Sequence, residues 1–263
     1  MTVTTWANRS FTAPFTATGR AATMPAPPWH FAGWTLNVEF EFEASTAEPF
    51  VPPAAGKAVG VGAVHFGYWQ ASTDGRELLD PVLSQYRETF VVLQIERPDG
   101  SQANYCPFIW VDQGTSLVRG LLQGLPKKLG STWLTRSLPI EHPSAAPLRA
   151  ESKMGASLAV QDRRLIEARA ELTGAAGQPL GFMARPTIGA VGWADLRKSD
   201  EYPELTFIRA DVRDRVEGGW YEATATLDVL PHPNEEIANL GGITATNANV
   251  GSVGFTVVGA ISA

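Results

Sequence analysis

A mainly β chain, antiparallel with a few short helices and so α+β at its margins, is what three features of this sequence predict. Trp34, Leu36, Val38, Phe40 and Phe42 alternate with Thr35, Asn37, Glu39, Glu41 and Glu43. That period of two is the mark of a strand with one buried face. Residues 89–95 and 102–111 form two more apolar-rich runs, joined by the hairpin-type loop Arg97-Pro98-Asp99-Gly100. From 205 to 229, two alternating arms flank Glu217-Gly218-Gly219 and read as a further hairpin. Chains of this kind close into barrels or stack as sandwiches.

The remaining elements follow in order. Residues 1–30, rich in Thr, Ala and Pro, are expected to form an arm ahead of a single domain over 31–263. Pro25, Pro27 and Pro28 disfavour both helix and central strand there. The arm is either a disordered tail or a docked segment, and Trp29 and Phe31, costly to leave in water, speak for docking. Residues 58–69 make a second strand, whose glycines at 60, 62 and 67 mark bends or close backbone approach. Residues 116–123 read as a short helix capped by Ser116 and ended by Gly124 and Pro126. Over 164–172, Ile166, Ala168, Ala170 and Leu172 alternate as in a strand, although Glu-Ala-Arg-Ala-Glu-Leu favours helix; strand is the reading taken. Asn234 is placed as the cap of a short helix over 234–240, with Glu235 and Glu236 in its first turn. Residues 255–261 form a last strand.

Composition excludes several function classes. The chain has 263 residues, 44% apolar and 18% charged, enough to bury a real core. Net charge is -6 and the basic residues form no stripe, which argues against nucleic acid as a partner. Cys106 is the one cysteine, so no internal disulfide calls for an oxidising compartment. The first residues lack the basic-then-apolar pattern of a signal peptide, and no apolar run reaches membrane-span length. A soluble, cytoplasmic protein is therefore the expectation, with the Asn8-Arg9-Ser10 sequon idle. The histidines at 30, 65, 142 and 232 have no zinc-ligand spacing, and no nucleophile elbow or phosphate-binding glycine loop occurs, so no metal is expected.

The chemistry points to one short turn, Gly124-Leu125-Pro126-Lys127-Lys128-Leu129-Gly130. Both lysines are bracketed by Leu, Pro and Gly rather than by other charges. Burial disfavours an ammonium, and a second ammonium nearby acts in the same direction. A lysine kept neutral near pH 7 can attack a carbonyl carbon and form a Schiff base. A preceding helix C-terminus would oppose this by favouring the cation, but by about 1 kcal/mol or less, whereas burial can shift a lysine by several units. On spacing alone, a solvated Lys-Lys turn remains the commoner structure.

The segment Pro126-Lys127-Lys128-Leu129-Gly130 resembles the active-site signature of the acetoacetate decarboxylase superfamily. Acetoacetate decarboxylase is itself the standard example of a lysine activated by a neighbouring cation. Pro27-Pro28-Trp29-His30, Ser84-Gln85-Tyr86-Arg87-Glu88 and Gln123, four residues before Lys127, extend the resemblance toward the branch of pyruvate aldolase-dehydratases. It runs from about residue 25 to the C-terminus. It implies a closed or cone-like β-barrel, a homo-oligomer, Lys127 as the Schiff-base lysine and Lys128 as the neighbour keeping it neutral. It also implies Glu88 as the catalytic glutamate, Tyr86 and Gln123 in contact with the bound keto acid, and His30 as a pocket residue. Arg87 stands beside Glu88 as a candidate binding residue or its plain ion-pair partner. Were Lys127 on a strand, Lys128 would point the opposite way and act only through space.

This sequence also departs from the family pattern. True decarboxylases carry an arginine in the early strand, where this chain has Glu39, Glu41 and Glu43; negative charge there would repel acetoacetate. The expectation is therefore a lysine-dependent lyase, with no cofactor beyond its covalent Schiff base, that condenses pyruvate with an aldehyde and dehydrates the product. Decarboxylation of acetoacetate or another β-keto acid, a hydratase or cyclase reaction in the same pocket, and a non-catalytic β-barrel binding a small ligand stay open beside it.

Overall fold

In the computed structural model, which describes residues 9–263, eleven strands join into one sheet that closes on itself. They are β1 (Trp29–Glu41), β2 (Lys57–Ser72), β3 (Gln85–Glu96), β4 (Gln102–Val111), β5 (Lys127–Leu129), β6 (Ser131–Leu134), β7 (Lys153–Val160), β8 (Arg163–Ala176), β9 (Thr187–Val191), β10 (Thr206–Val229) and β11 (Thr244–Ser262). The order β11-β1-β2-β3-β4-β9-β10 returns to β11 and makes the ring; β8, β7 and β6 continue from β10 as a side sheet. Most pairings are antiparallel, while β4 runs parallel to both β5 and β9. The helices are short, α1 (Pro81–Ser84) and α2 (Gly114–Leu122) with six 3-10 turns. No helix among the described residues is long and apolar enough to cross a membrane.

Strand parity explains where the core sits. Leu36, Val38 and Phe40 of β1, Val64 and Phe66 of β2, and Val91 and Leu93 of β3 share the outer face of the ring. The side sheet covers that face with Met154, Leu158, Ile166 and Leu172. The opposite parity faces the interior of the ring and carries Phe31, Trp69, Tyr86, Phe90 and Ile109. Burying a side chain of this size contributes about 1.5–3 kcal/mol, so both faces of β1 to β4 are energetically committed. That overturns the expectation of a half-exposed first strand: Thr35 and Asn37 are fully buried.

Three other elements differ from expectation. Residues 206–229 are a single strand and not a hairpin; both halves pair with β11, and Gly218-Gly219 serves as an irregularity in that ladder. Gly219, with φ of 94°, holds the left-handed backbone conformation that favours glycine. The helix over 234–240 shrinks to a 3-10 turn at Ile237–Asn239 with no side-chain cap, and Glu235 turns inward to Lys128. The strands over 131–134, 153–160 and 187–191 have no counterpart in the sequence reading. Of the expected arm, residues 1–8 lie outside the described residues, so the Asn8 sequon does too. The rest docks, with Met24 and Trp29 buried and Trp29 Nε1 donating to the Pro25 carbonyl at 2.9 Å.

The buried polar residues of the ring hold one segment in place. Asn37 Nδ2 donates to Asn249 Oδ1 at 2.8 Å, and Asn249 Nδ2 donates to the Gln178 carbonyl. His65 Nδ1 lies 2.8 Å from Asn37 Oδ1, so it carries the proton, and Nε2 accepts from the Phe182 amide at 3.4 Å. Phe90 and Phe182 flank the imidazole at centroid distances of 4.7 and 4.8 Å. This network fixes residues 178–186, which roof the interior. Burial pulls the His65 pKa down to about 3. Between that value and about 6.5 the unfolded chain binds a proton that the folded chain refuses, so stability falls as pH falls through this window, by about 1.4 kcal/mol per unit. Chemical denaturation at pH 6.5, 5.5 and 4.5 is expected to show this slope, and His65→Gln to flatten it; equal slopes in the two proteins would show that His65 is not the titrating group.

Candidate functional site

Helix α2 and strand β5 build the site. Gln113 caps α2 by accepting from the Ser116 amide at 2.8 Å, so Ser116 is not the cap but a buried residue inside the helix. Ser116, Arg119, Gly120 and Gln123 follow the i, i+3, i+4, i+7 spacing and form one helix face. Gly124, with φ of 72°, ends the helix; a Cβ there would lie 2.6 Å from the Ala190 amide nitrogen. The chain then enters β5, where Lys127 pairs with Ile109 and Lys128 with Trp110.

Strand alternation separates the two lysines. The Lys127 side chain is 5% exposed and that of Lys128 49%. Lys127 Nζ donates to Glu88 Oε2 and, at 3.0 Å, to Ser116 Oγ. Lys128 Nζ instead reaches Glu235 Oε2, while Trp110 Nε1 donates to Glu235 Oε1 at 3.1 Å. Burial pushes the Lys127 pKa below the ordinary lysine value, Glu88 pulls it back up, and the charge of Arg119 adds to the lowering. The second cation bearing on Lys127 is therefore Arg119, six per cent exposed, and not the adjacent Lys128.

Tyr86 and Glu88 share the interior face of β3, and both line a cavity of about 530 Å³ at whose buried end Lys127 sits. The Tyr86 ring centre is 5.4 Å from Lys127 Nζ. Burial first, then the charge of Glu88, raises the Tyr86 pKa, so its hydroxyl stays a donor at neutral pH. Cys106 lies at the same end, its thiol pushed up by burial and by Glu88. Gln123 lines the cavity, with Nε2 donating to the Arg119 carbonyl at 3.3 Å. Arg119 Nε and Nη1 are buried with no partner among the described residues, a costly state unless an acceptor arrives. Its guanidinium carbon lies 5.2 Å from the Phe31 ring centre.

Two candidates fall outside this group. Arg87 lies between Tyr86 and Glu88, so parity turns it to the other face, where Nε meets Asp112 Oδ2 at 2.7 Å and the guanidinium stacks 4.0 Å over Trp133. His30 is exposed, with Nδ1 3.0 Å from Thr256 Oγ1; its neighbour Phe31 takes the cavity position. Glu39, Glu41 and Glu43 are not among the residues that line the cavity. Among the described residues no three His, Cys, Asp or Glu side chains gather as a metal ion requires. Ser116, Arg119 and Gly120 escaped the sequence reading, although their spacing with Gln123 was the signal that could have found them.

The family model for acetoacetate decarboxylase matches residues 12–260. No curated protein sequence matches the chain. Among solved structures, the enduracididine biosynthesis enzyme MppR, complexed with the condensation product of pyruvate and imidazole 4-carboxaldehyde, is similar with a TM-score of 0.89 at 25% identity, over 97% of this chain and 96% of that one. A structure of the same enzyme with pyruvate gives 0.88 at 25% identity, over 97% of each chain. An acetoacetate decarboxylase-like enzyme from Sphingomonas wittichii RW1 gives 0.86 at 23%, over 97% of this chain and 99% of that one, and carries the fold alone.

Gly120 makes room for the lysine. A Cβ there would fall 2.2 Å from Lys127 Cδ and 2.4 Å from Cε. Gly120→Ala should favour the helix by up to about 1 kcal/mol yet displace an amine that Glu88 and Ser116 hold. Reductive alkylation of Lys127 at neutral pH is expected to slow by about 100-fold, with the melting temperature retained. Alkylation at the native rate would mean that the lysine has space elsewhere.

Proposed function

Since the chain belongs to the acetoacetate decarboxylase family, we propose that it is a lysine Schiff-base lyase that condenses pyruvate with an aldehyde and removes water from the product. The observation that carries this reading is Lys127 itself: buried, lowered in pKa, and hydrogen-bonded to Glu88 at the closed end of a cavity. The similarity to an enzyme whose structures hold pyruvate and a pyruvate-aldehyde condensation product supports the choice of substrate.

The chemistry needs only this chain's residues. The neutral Nζ of Lys127 adds to C2 of pyruvate, and loss of water gives an iminium. Gln123, which lines the cavity, bonds the carboxylate, and the buried guanidinium of Arg119 behind it adds positive charge. Glu88, freed from Lys127 as the amine becomes an imine nitrogen, takes a proton from C3 and leaves an enamine. C3 attacks the aldehyde carbon while the Tyr86 hydroxyl gives its proton to the aldehyde oxygen. Glu88 returns its first proton to Tyr86 and takes the second C3 proton, Tyr86 protonates the hydroxyl, which leaves as water, and Glu88 then restores the Tyr86 proton. Hydrolysis releases the unsaturated 2-oxo acid and restores Lys127. The sum is one pyruvate and one aldehyde to one unsaturated keto acid and one water. Lys128, held outward by Glu235, orients the strand that presents Lys127.

The family's own name favours a second reading, in which the same iminium accepts the electrons of a β-keto carboxylate and releases carbon dioxide. Neither reading calls for a metal or organic cofactor. Localisation in the cytoplasm and assembly as a homo-oligomer complete the proposal.

Borohydride added to the protein with pyruvate is expected to leave a stable adduct on Lys127, located by peptide mass. Lys127→Ala should abolish both adduct and product. The trapping rate should rise with pH through the lowered pKa of Lys127, reaching its plateau below the range of an ordinary lysine. Substantial turnover by Lys127→Ala would sink the mechanism; carbon dioxide from acetoacetate at a higher rate than aldol product would select the second reading.

A further inference from the structure

Resting on that reading, the cavity's outer half bears on the second substrate. Pyruvate has three carbons, and the cavity of about 530 Å³ extends well past it. Between Lys127 and the mouth the walls are aromatic. Phe31 and Phe255 stack at 5.0 Å, Trp69 meets Phe255 at 6.0 Å, and Phe182 meets Phe90 at 4.9 Å. Flat apolar walls of this kind take a flat apolar ligand.

At the mouth the chemistry changes. Phe255, Val257 and Ile261 of β11 line the cavity, and so does Arg209 of β10, which pairs across the ladder with Ile261. Arg209 is exposed and stands at the rim. Arg185, half-buried, and Thr187, first residue of β9, line the same end; β9 is the neighbour of β10. The other charges there are paired. Asp211 meets Arg213 at 3.1 Å, and Arg215 meets Glu217 and donates to the Met183 carbonyl at 2.7 Å. Arg185 and Arg209 have no side-chain partner among the described residues. In a chain of net charge -6, two unmatched guanidiniums thus line one cavity mouth.

We propose that the acceptor is an aromatic aldehyde bearing an anionic group, carboxylate or phosphate, at the end remote from its carbonyl, held by Arg185 and Arg209. The aldehyde carbon then lies at the Lys127 end, the ring lies between the aromatic walls, and the anion sits where guanidiniums meet it in fork geometry. Gln123 serves the pyruvate carboxylate at the opposite end, so the two acids are read by different residues.

The test compares 4-formylbenzoate, 4-formylphenyl phosphate and neutral 4-methylbenzaldehyde as acceptors with pyruvate, followed by absorbance of the arylidene product. Wild-type protein is expected to favour one of the anionic aldehydes by about 10-fold in kcat/KM, and the arm that gains names the anion. In Arg185→Gln/Arg209→Gln that preference should fall to about 2-fold or less, the change lying in the KM for the aldehyde. Equal use of all three aldehydes by the wild type, a preference that survives in the double variant, or a rise in KM for pyruvate instead would overturn the assignment. Borohydride trapping of pyruvate, run on the same samples, reports the Schiff-base reading separately. If trapping fails, calorimetric titration with unreactive 4-methylbenzoate, methylphenyl phosphate and 4-methylbenzamide still decides the anion site: tighter binding of an anion, lost in the double variant, upholds it, and equal binding refutes it.

Discussion

A lysine enclosed among Tyr86, Cys106, Ile109 and Leu125 cannot keep its proton at the usual cost, and most of the site follows from that enclosure. Desolvation is the largest influence on Lys127, and Glu88, its hydrogen-bonded partner, opposes it. The two effects are not redundant. Burial without the carboxylate would leave an amine with nothing to steer its protons, while the carboxylate without burial would hold an ordinary ammonium. Arg119, itself buried, adds a like charge in the same direction as desolvation.

The closed ring makes this enclosure possible. In an open antiparallel sheet one face can meet water; here β1 to β4 bury both, one against the side sheet and one toward the cavity. Alternation then becomes a sorting device. It brings Tyr86 and Glu88 inward and turns Arg87 out, and it sends Lys127 to Glu88 and Lys128 to Glu235. The adjacent lysines, which look in sequence like one electrostatic pair, serve two sides of a wall. The polar residues of the inward face are equally committed, since Asn37, His65 and Asn249 hold the segment that bears Phe182 and Arg185.

Strand-forming segments with clear alternation were legible from sequence, as were the lysine turn and, through resemblance, Glu88, Tyr86 and Gln123. The failures have physical causes. Gly218-Gly219 carries the chemistry of a turn, but continuous pairing with β11 uses it as an irregularity instead. Thr35 and Asn37 look like a solvent face because local polarity cannot reveal that a ring will close over them. His30 and Arg87 were drawn in by neighbouring motif residues, although adjacency on a strand is itself the sign of opposite faces. Arg119 was overlooked because the groups it bears on, Lys127 and Tyr86, lie on strands and not on its helix, and only the helical spacing from Ser116 to Gln123 hinted at a shared face. The mouth formed by β9, β10 and β11 depends on pairings far apart in the chain, which no local pattern encodes.

The most direct test of this account is the titration of Lys127 itself. With lysine labelled at Nζ and the signal assigned by comparison with Lys127→Met, nitrogen-detected NMR would follow its protonation in the free protein. The account predicts a midpoint below 10.5, distinct from the other lysines and retained in Lys128→Gln, because burial and Arg119 lower it. A midpoint in the ordinary lysine range, or one restored to that range by Lys128→Gln, would contradict it.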